Sequence, residues 1–392
     1  MKRILFGVTG GIAAYKIPET IRLLRQHNFE VRVVMSRAAQ EFVTSATLEA
    51  VSGHPVACSL WDTSSMIHIE LARWADLIVI APATANFITK LAYGLADDLL
   101  STICVTSTAP VMIAPAMNRE MWANKATCAN IQTLHLHGIS IVGPAEGEQA
   151  CGDVGVGRMV EPHEIVEFVQ LKTTLSRDAL RGRDILITAG PTREMIDSIR
   201  YLSNRSSGKM GYALAQMAHE MGATVTLISG PTELTPPNVT TVLVDSAEEM
   251  YNVVIHAAAM HDTFISAAAV ADYTPVTVAQ HKIKKQAGHW TLELQRTRDI
   301  LAAVAALENK PYCVGFAAED VDLINSARQK LMAKNLDMIV ANDIARSFGH
   351  DHGEVHIIRR GSDAILSLEK QSKHAIAVHI LQQLQHQPAL LS

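Results

Sequence analysis

Short apolar runs alternate along this chain with longer segments in which apolar residues recur at helical spacing. Two stretches, residues 4–35 and residues 185–229, follow the same plan of strand, glycine-containing loop, helix and strand. Polar residues rarely interrupt the apolar runs, which is typical of strands buried on both faces of a parallel sheet. We therefore predict an α/β fold with two doubly wound, Rossmann-like domains.

Further segments extend this pattern in both halves. Strands are predicted at residues 75–82, 110–116, 139–144, 241–245, 262–269, 311–318 and 337–343, and helices at 64–76, 298–307 and 320–334. In the helix predicted after the second glycine loop, Met210, Leu214, Met217 and Met221 recur at helical spacing. Such a stripe favours a face buried in the core over a metal or cofactor site.

A charged polar stretch separates the two patterns. The chain has 392 residues, enough for two domains at roughly 150 residues each. We predict an N-terminal domain over residues 1–172, a linker over 173–183 and a C-terminal domain over 184–392.

Composition narrows the class of protein. The chain is 48% hydrophobic, only 5% aromatic and carries a formal net charge of −5, which indicates a globular protein without a nucleic-acid partner. Its longest uncharged stretch, residues 99–118, contains Pro110 and Pro115, so buried strands and turns are expected there and no membrane partner. Five cysteines without a CxxC pair favour a reducing cytoplasm over a disulfide framework or a zinc site, and the first residues lack a signal-peptide core.

Both glycine loops precede predicted helices, so each can offer backbone N–H groups and a positive helix end to a phosphate. Neither loop reads GxGxxG, and neither following strand ends in the acidic residue that would bind the ribose of a dinucleotide. These features disfavour NAD and favour a mononucleotide or another phosphorylated ligand. Alternatively, each glycine loop is only a tight turn between a strand and a helix and binds no ligand.

Cys151 lies in the glycine-rich segment 145–159. Its glycines disfavour a helix or a central strand, so we predict a mobile loop with a thiol at its tip that can close over a ligand. The alternative is a buried cysteine that acts as a small hydrophobic residue. The polar neighbours Gln149 and Asp153 argue against that alternative.

Two further segments are expected at the same edge of the first sheet. His68 stands near the start of an amphipathic helix; it could be a core or capping residue, or a general base with an ordinary pKa near ~6.5. Asn118 follows a turn; it could be a turn residue, or a neutral amide that binds a carboxylate. A neutral ligand suits loss of CO₂, because a salt bridge would stabilise the carboxylate ground state.

The second half combines a long polar loop with several cations. Residues 188–211 are rich in Ser, Asn, Arg and Gly, which suits anion binding at a helix N-terminus; the alternative is a capped loop with Ser206 or Ser207 as N-cap. Asp272 follows a predicted strand, and Lys330 and Lys334 are one helical turn apart. Cations around one carboxylate favour a triphosphate with a metal ion. The lysines of 282–285 could instead form a solvated edge.

In roughly the first 170 residues, the motifs GVTGGIAAYK, HIELARWAD, PATANFITKLAYGLADDLL, PAMNREMW and ACGDVGVGRM resemble the family of flavin-containing cysteine decarboxylases. The resemblance implies an N-terminal flavoprotein domain in which FMN withdraws electrons from an aminoacyl-cysteine side chain and returns them after CO₂ has left. It implies that His68 is the base, that Asn118 binds the substrate carboxylate near Met121, and that Cys151 protonates the enethiolate. The FMN contacts that it implies are Gly10, Gly11, Ile12, Ser36, Ala38, Thr84, Ala85, Asn86, Phe87 and Ala116.

Between about residues 183 and 358, the motifs ITAGPTRE, SNRSSGKMG, SAAAVADY, KIKK, VGFAAE and ANDI resemble the phosphopantothenate–cysteine ligase family. The order of the two domains matches the bifunctional bacterial enzymes of coenzyme A biosynthesis. The resemblance implies a C-terminal nucleotide-binding ligase domain that uses CTP, with Mg²⁺, to form an acyl-cytidylate of 4′-phosphopantothenate, which L-cysteine attacks. The first domain would then decarboxylate the product to 4′-phosphopantetheine.

The ligase resemblance also assigns residues. It places Arg200 and Asn204 beside the acyl-cytidylate and phosphopantothenate, and Lys282 at the reacting phosphate. The residues that it places around the nucleotide are Ser266, Ala267, Ala268, Asp272, Lys282, Arg298, Asp299, Ile300, Leu301, Phe316, Lys330 and Lys334. It assigns no metal ligand. It implies a homo-oligomer with dimeric ligase domains and trimeric decarboxylase domains, which together would make a dodecamer.

Two other functions fit the sequence less well than a bifunctional decarboxylase and ligase. An NAD-type oxidoreductase lacks the ribose-binding acid. A non-catalytic, flavin-binding regulatory protein would not need His68, Asn118 and Cys151 together.

Overall fold

A computed structural model of the chain describes residues 1–61, 66–176, 178–285, 289–319, 322–343 and 352–384. The chain divides into two compact units, Met1–Thr174 and Leu175–Ser392, called here the N-terminal and the C-terminal unit. Within the described part of the chain, no helix combines the length and the apolar character needed to cross a bilayer.

The N-terminal unit is built on a five-stranded parallel sheet. Its strands are β1 (Arg3–Val8), β2 (Glu30–Met35), β3 (Leu77–Ala83), β4 (Val111–Pro115), β5 (Ser140–Ile141), β6 (Ala145–Glu148) and β7 (Val154–Arg158). Its helices are α1 (Ile17–Gln26), α2 (Ser45–Ser52), α3 (Ile67–Trp74), α4 (Ala85–Tyr93), α5 (Leu99–Thr106), α6 (Arg119–Ala123), α7 (Lys125–Leu136) and α8 (Pro162–Thr174), with 3-10 helices at Ile12–Lys16 and Arg37–Glu41. The strand order is β2-β1-β3-β4-β5, while β6 and β7 form a separate antiparallel pair.

Both faces of this sheet are covered. Along β1, Ile4 and Phe6 belong to one hydrophobic cluster and Leu5 to the other, all without solvent exposure. Strands buried on both faces have no solvated side, which is why they appear in the sequence as unbroken apolar runs. The predicted parallel strands of this half are confirmed. Residues 64 and 65 of the helix predicted at 64–76 lie outside the described residues, and α8 extends through residues 173 and 174 of the predicted linker.

The C-terminal unit contains a larger sheet. Its strands are β8 (Asp184–Ala189), β9 (Arg193–Met195), β10 (Tyr201–Ser203), β11 (Thr224–Ser229), β12 (Thr240–Leu243), β13 (Thr263–Ser266), β14 (Tyr273–Pro275), β15 (Leu294–Arg296), β16 (Tyr312–Glu319), β17 (Met338–Asp343), β18 (His352–Arg359) and β19 (Ile365–Ser372). Its helices are α9 (Lys209–Glu220), α10 (Ala247–Ala258), α11 (Ile300–Ala305), α12 (Leu323–Ala333) and α13 (Lys373–Gln382).

Eight of these strands form one sheet in the order β12-β11-β8-β13-β16-β17-β18-β19. The first six are parallel and follow the 3-2-1-4-5-6 order of a dinucleotide-binding fold, so the predicted doubly wound architecture is confirmed. The two antiparallel strands β18 and β19 were not predicted. In β19 only Leu368 is buried, so this strand has no apolar run to mark it. The predicted core stripe of α9 is confirmed for Leu214, Met217 and Met221, which are fully buried, but it is wrong for Met210, which is only partly buried and lines a cavity.

The glycine-rich segment around Cys151 is not the predicted loop but a β-hairpin formed by β6 and β7, with Cys151 in the turn. The prediction was wrong because a two-stranded ribbon needs no packed side chains on its faces, so its glycines do not prevent backbone pairing. Only glycine fits at position 157, because φ is 148° and a Cβ would lie 2.4 Å from the carbonyl oxygen of Met117.

Candidate active sites

The first candidate site is the crevice at the carboxyl ends of β1 and β3, where the strand order of the N-terminal unit reverses direction. Thr9 joins the two strand ends. Its hydroxyl donates to the carbonyl oxygen of Pro82 (2.6 Å) and accepts the N–H of Thr84 (3.2 Å). The first glycine loop and the N-terminus of α4 are therefore held side by side.

The loop after β2 closes tightly on the first glycine loop. A Cβ on Gly10 would lie 2.4 Å from the Cβ of Ala38 and 2.9 Å from its backbone carbon, so only glycine allows this approach. Ser36 caps the following 3-10 helix by accepting the N–H of Ala39 (3.3 Å). Thr84 caps α4 by accepting the N–H of Phe87 (3.4 Å). The result is a narrow cradle with two helix starts at the carboxyl edge of the sheet.

The structure brings most of the predicted flavin contacts to this edge. Those that lie at the ends of β1, β2, β3 and β4 are Gly10, Gly11, Ile12, Ser36, Ala38, Thr84, Ala85, Asn86 and Ala116. Phe87 differs from them, because its side chain is only 2% exposed and belongs to the hydrophobic core. Only the backbone of Phe87 is available to a ligand.

Asn118 and Cys151 are in contact in the structure. Asn118 is the N-cap of α6, and its Oδ1 accepts the N–H of Glu120 (2.8 Å). Its Nδ2 lies 3.3 Å from Cys151 Sγ and donates to Asp153 Oδ2 (2.7 Å). The cap therefore fixes the amide so that its NH₂ group faces the thiol.

Asp153 is a member of this cluster to which the sequence analysis gave no role. Cys151 Sγ is 3.5 Å from Asp153 Oδ2. Hydrogen bonds from Asn118 and then from Cys151, together with the charge of Arg119, hold the pKa of Asp153 below its ordinary value. The signal that could have found it is its place two residues after Cys151, on the same turn.

The hairpin that carries Cys151 is docked against α6. Met117 donates its N–H to the carbonyl of Gly157 (2.9 Å), and Arg119 donates its N–H to Oε1 of Gln149 (3.1 Å). At the base of the hairpin, the buried Lys16 ammonium binds Glu161 (2.8 Å). One backbone hydrogen bond and one hydrogen bond to a side chain thus hold the thiol turn beside the N-terminus of α6.

His68 lies in the first turn of α3 and is half-buried. The helix ends beside the start of β1, where Asp76 and Arg3 are hydrogen-bonded. Since α3 runs antiparallel to the strands, its first turn lies toward the carboxyl edge of the sheet. This topology places His68 on the side of the crevice, without a direct hydrogen bond to Asn118 or Cys151 among the described residues.

The second candidate site is a cavity of about 950 Å³ at the carboxyl ends of β13, β16 and β17, beside the N-terminus of α9. It lies at the point where the strand order of the second sheet reverses. The predicted nucleotide or substrate residues that line it are Asn204, Ser266, Ala267, Ala268, Asp272, Arg298, Asp299, Ile300, Leu301, Phe316, Lys330 and Lys334.

Helix α9 begins at this cavity without a side-chain cap. Its N-cap is Gly208, with φ at 77°, so the alternative with Ser206 or Ser207 as N-cap is wrong. Position 208 needs glycine, because a Cβ there would lie 2.7 Å from Cγ2 of Thr232. Ser206 Oγ accepts the N–H of Gly208 instead (3.3 Å). Without a side chain over it, the positive end of α9 faces the cavity.

Positive charge dominates the lining. Seven cationic side chains line the cavity, namely Arg205, Lys209, Arg296, Arg298, Lys330, Lys334 and Lys373. They face two carboxylates, Asp272 and Asp299. Four of these cations, Arg205, Lys209, Arg296 and Lys373, were not predicted. Arg205 and Lys209 belong to the SNRSSGKMG motif, whereas no sequence pattern marks Lys373, the first residue of α13.

The two lysines of the α12 region are already held by protein groups. Lys330 donates to the carbonyl of Phe316 (2.8 Å), and Lys334 binds Asp299 (2.6 Å). Burial alone would raise the pKa of Asp299, but the hydrogen bonds from Lys334 and from the N–H of Ala302 lower it. Asp299 is therefore a carboxylate that both caps α11 and orients a cation toward the cavity.

Arg298 is positioned by helix α10. Its guanidinium binds Glu248 and lies 3.7 Å from the ring centroid of Tyr251. Asn204 is held from the other side, because its Nδ2 donates to the carbonyls of Ala269 (3.2 Å) and Val270 (3.0 Å).

Arg200 and Lys282 do not line the cavity. Lys282 is exposed. The guanidinium of Arg200 binds the buried carboxylate of Asp197 and donates to the carbonyl of Ile283 (2.9 Å). The hydrogen bond from Arg200 is the main reason why the pKa of Asp197 is far below its ordinary value.

The fold and the two sites define a two-domain α/β protein, with a thiol-bearing hairpin beside a crevice in one unit and a cation-lined cavity in the other. The family described as Flavoprotein matches residues 1–174. The family described as DNA/pantothenate metabolism flavoprotein C-terminal domain matches residues 180–387.

Curated relatives match nearly the whole chain. The Coenzyme A biosynthesis bifunctional protein CoaBC of Vibrio vulnificus (strain CMCP6) is 50% identical over 396 residues, which cover 98% of this chain and 97% of the relative. The protein of the same name from Escherichia coli (strain K12) is 48% identical over 381 residues, which cover 94% of each chain. A solved C-terminal domain of a Coenzyme A biosynthesis bifunctional protein CoaBC is 43% identical, covers 53% of this chain and 96% of that chain, and aligns with a TM-score of 0.47.

This chain belongs to the family of coenzyme A biosynthesis bifunctional proteins. It is a bifunctional enzyme that unites a flavoprotein decarboxylase domain with a ligase domain. The fold class and the family predicted from the sequence motifs are confirmed. Neither the matching families nor these relatives support the NAD-type oxidoreductase or the non-catalytic regulatory protein.

Proposed function

We propose that the C-terminal unit condenses 4′-phosphopantothenate with L-cysteine at the expense of CTP and Mg²⁺, and that the N-terminal unit decarboxylates the product with FMN to give 4′-phosphopantetheine. The product of the first reaction is the substrate of the second. A shared intermediate is the chemical reason for joining the two units in one chain.

The cation-lined cavity supports the ligase assignment. Its cationic side chains and the positive end of α9 suit a triphosphate and the negative charge that develops when the substrate carboxylate attacks the α-phosphate and pyrophosphate leaves. Lys330 and Lys334 would bind phosphate oxygens, while Ser266, Ala267, Ala268, Ile300, Leu301 and Phe316 would enclose the nucleoside. Among the described residues no group of three metal-ligating side chains occurs. Mg²⁺ would come bound to the triphosphate, and Asp272 is a carboxylate in the lining near which it would lie.

Asn204, Arg200 and Lys282 would serve the reacting acyl group. Asn204 lies at the cavity wall, and both N–H groups of its side-chain amide donate to the protein backbone, so it can present its carbonyl oxygen to the pantothenate side. Lys282 would stabilise the negative charge that develops at the reacting phosphate.

A direct assay tests the ligase. The enzyme is incubated with 4′-phosphopantothenate, L-cysteine, Mg²⁺ and either CTP or ATP, and the amide and the released pyrophosphate are measured by mass spectrometry and by a coupled assay. We expect one pyrophosphate per amide and a strong preference for CTP. Amide formation without nucleotide, or no pyrophosphate with the complete mixture, contradicts the proposal.

The cradle around Gly10 supports the flavin assignment. It joins two helix starts to a glycine that cannot carry a Cβ, which fits a phosphate and a flat ring approaching the backbone closely. Gly10, Gly11, Ile12, Ser36, Ala38, Thr84, Ala85, Asn86, Ala116 and the backbone of Phe87 would hold FMN. When bound, FMN supplies reversible two-electron oxidation of the cysteine side chain of the substrate.

The protein groups bind the carboxylate and manage protons. Asn118 would bind the substrate carboxylate without the charge that would stabilise it against loss of CO₂. Cys151 would deliver a proton to the enethiolate that remains after CO₂ has left, and its contact with the Asn118 amide is the single observation that supports this role. His68 would act as a base on the substrate.

The thiol role has a specific test. Cys151→Ser in the full chain should release CO₂ from phosphopantothenoyl-cysteine but accumulate a product that lacks two hydrogens relative to 4′-phosphopantetheine. Cys128→Ser changes another exposed cysteine, on α7, and should leave turnover unchanged. Normal product at the wild-type rate from Cys151→Ser excludes the proposed proton transfer.

We also propose a cytoplasmic homo-oligomer with trimeric decarboxylase domains and dimeric ligase domains, together a dodecamer. Each unit leaves several large apolar side chains exposed, including Tyr15 (65%) and Tyr93 (78%) in the N-terminal unit and Ile199 (58%) in the C-terminal unit. Exposed apolar side chains of this size suit subunit contacts. Light scattering coupled to gel filtration measures the number of chains; a monomer contradicts this assembly.

A further inference from the structure

One buried carboxylate outside both candidate sites makes an unusual set of contacts. Asp197 is 1% exposed. Its Oδ1 accepts the N–H groups of Ile199 and Arg200, both at 2.9 Å. Its Oδ2 accepts from the guanidinium of Arg200 (Nε, 2.9 Å) and from the N–H of Ile283 (3.1 Å). A buried charge needs this degree of pairing, so its partners are held firmly.

The ion pair of Asp197 and Arg200 binds both the backbone N–H and the backbone carbonyl of Ile283. Asp197 accepts the N–H of Ile283, while Arg200 donates to the carbonyl of the same residue (2.9 Å). Arg200 also lies 5.5 Å from the ring centroid of Trp290. A second backbone bond, from the N–H of Ala279 to the carbonyl of Ile196 (3.1 Å), runs parallel to these. The segment before β15 is thus fastened to the loop between β9 and β10.

The fastened residue is the neighbour of Lys282. Consecutive Cα atoms are ~3.8 Å apart, so anchoring both polar groups of Ile283 fixes where the exposed Lys282 side chain starts. A long flexible lysine gains precision as a catalytic group only when its backbone is held.

We propose that Asp197 is a positioning residue, which acts through Arg200 and Ile283 to hold Lys282 for the ligase reaction. This inference rests on the role of Lys282 proposed above. Asp197 itself touches neither the cavity lining nor, in this assignment, any substrate.

The hold on Ile283 is measured without an activity assay. In the wild-type full chain, the amide of Ile283 should exchange with deuterium more slowly than in Asp197→Asn. Trypsin should cleave after Lys282, Lys284 and Lys285 about 10- to 100-fold faster in Asp197→Asn, because the opened segment is more populated. Asp337→Asn is the matched control. Asp337 also binds a cation and a backbone N–H, those of Lys310 and Cys313, but at the opposite edge of the sheet.

Kinetics then connect the hold to Lys282. At saturating CTP, Asp197→Asn should lower kcat for amide formation about tenfold or more while changing KM for CTP less than threefold, since Asp197 does not line the cavity. The double variant Asp197→Asn/Lys282→Gln should be no slower than Lys282→Gln alone. Asp337→Asn should retain wild-type kcat.

The outcomes separate the two ideas. Unchanged cleavage and exchange in Asp197→Asn, or additive effects of the two substitutions on kcat, overturn the positioning role. Full activity of Lys282→Gln overturns the function proposed for Lys282, whereas faster cleavage in Asp197→Asn would in that case still support the hold on Ile283. The exchange rate of the wild-type Ile283 amide decides the matter even where the variant folds poorly: exchange as fast as that of an unbonded amide overturns the proposal.

Discussion

The approach of Gly10 to Ala38 makes the flavin cradle open to a sharp test. In Gly10→Ala the added Cβ would meet the Cβ of Ala38 at 2.4 Å and its backbone carbon at 2.9 Å. Because one of these atoms belongs to the backbone, a side-chain rotation cannot relieve the clash. The loop after β2 must move away, and with it Ser36.

The neighbouring glycine provides a matched control. Gly11 has φ at −146°, which alanine adopts freely, and a Cβ there would lie 3.5 Å from the nearest atom, Cγ2 of Thr84. Overpacking at Gly10 should lower the free energy of unfolding of the N-terminal unit by about 1–3 kcal/mol. Gly11→Ala should change it by less than ~1 kcal/mol, with a small gain from the stiffer unfolded chain.

The assay must report on one unit of a two-unit chain. Hydrogen exchange as a function of urea, read by mass spectrometry on peptides from β1 of the full chain, gives the free energy of unfolding of the N-terminal unit. The flavin-to-protein absorbance ratio gives cofactor retention, which should fall in Gly10→Ala. Equal stability of the two variants, with wild-type flavin content in Gly10→Ala, would refute the close-approach argument.

Two further predictions concern charged groups. Asp98 caps α5 and binds Lys90 (2.7 Å); burial would raise the pKa of Asp98, but hydrogen bonds from Lys90 and Ser101 lower it from 3.8. The ionised form of Asp98 is favoured in the folded state, so the wild type should be more stable than Asp98→Asn by about 0.5–1 kcal/mol at neutral pH. This difference should vanish as the pH falls below 3.8, where the carboxylate takes up a proton. Urea unfolding at several pH values measures the difference, and a difference that does not depend on pH contradicts the prediction. Lys334→Met should lower kcat/KM for CTP about 10- to 100-fold in steady-state assays. The control Lys310→Met, at the opposite edge of the sheet, should leave kcat/KM unchanged. Equal losses in the two variants would exclude a local role for Lys334.

Much of the fold follows from the pattern of the chain. Runs such as those of β1 and β8 can be assigned because a strand covered on both faces has no polar side to obscure it. The alternation with helices implies parallel strands, and parallel strands bring successive glycine and polar loops to one edge. This is why the segments of His68, Asn118 and Cys151 could be expected at one edge of the first sheet from the sequence.

Other features escaped because their signal is weak or absent in a linear pattern. β19 lacks an apolar run, and the Cys151 hairpin is built from glycines that argue against strands. The N-cap of α9 is Gly208 because Thr232, a residue from another loop, leaves no room for a side chain. Lys373 also escaped prediction, because it reaches the cavity from a part of the chain far from the other lining residues.

The sequence by itself determined the parallel strands of both sheets, the edges at which ligands are expected to bind, and the motifs that define the family. Only the tertiary structure decided which side chains meet at those edges. Asp153 reaches Asn118 across 35 residues, and Asp197 reaches Ile283 across 86. Hydrophobic periodicity is a local property that neighbouring residues carry, whereas such contacts depend on how loops of different lengths return to the same place.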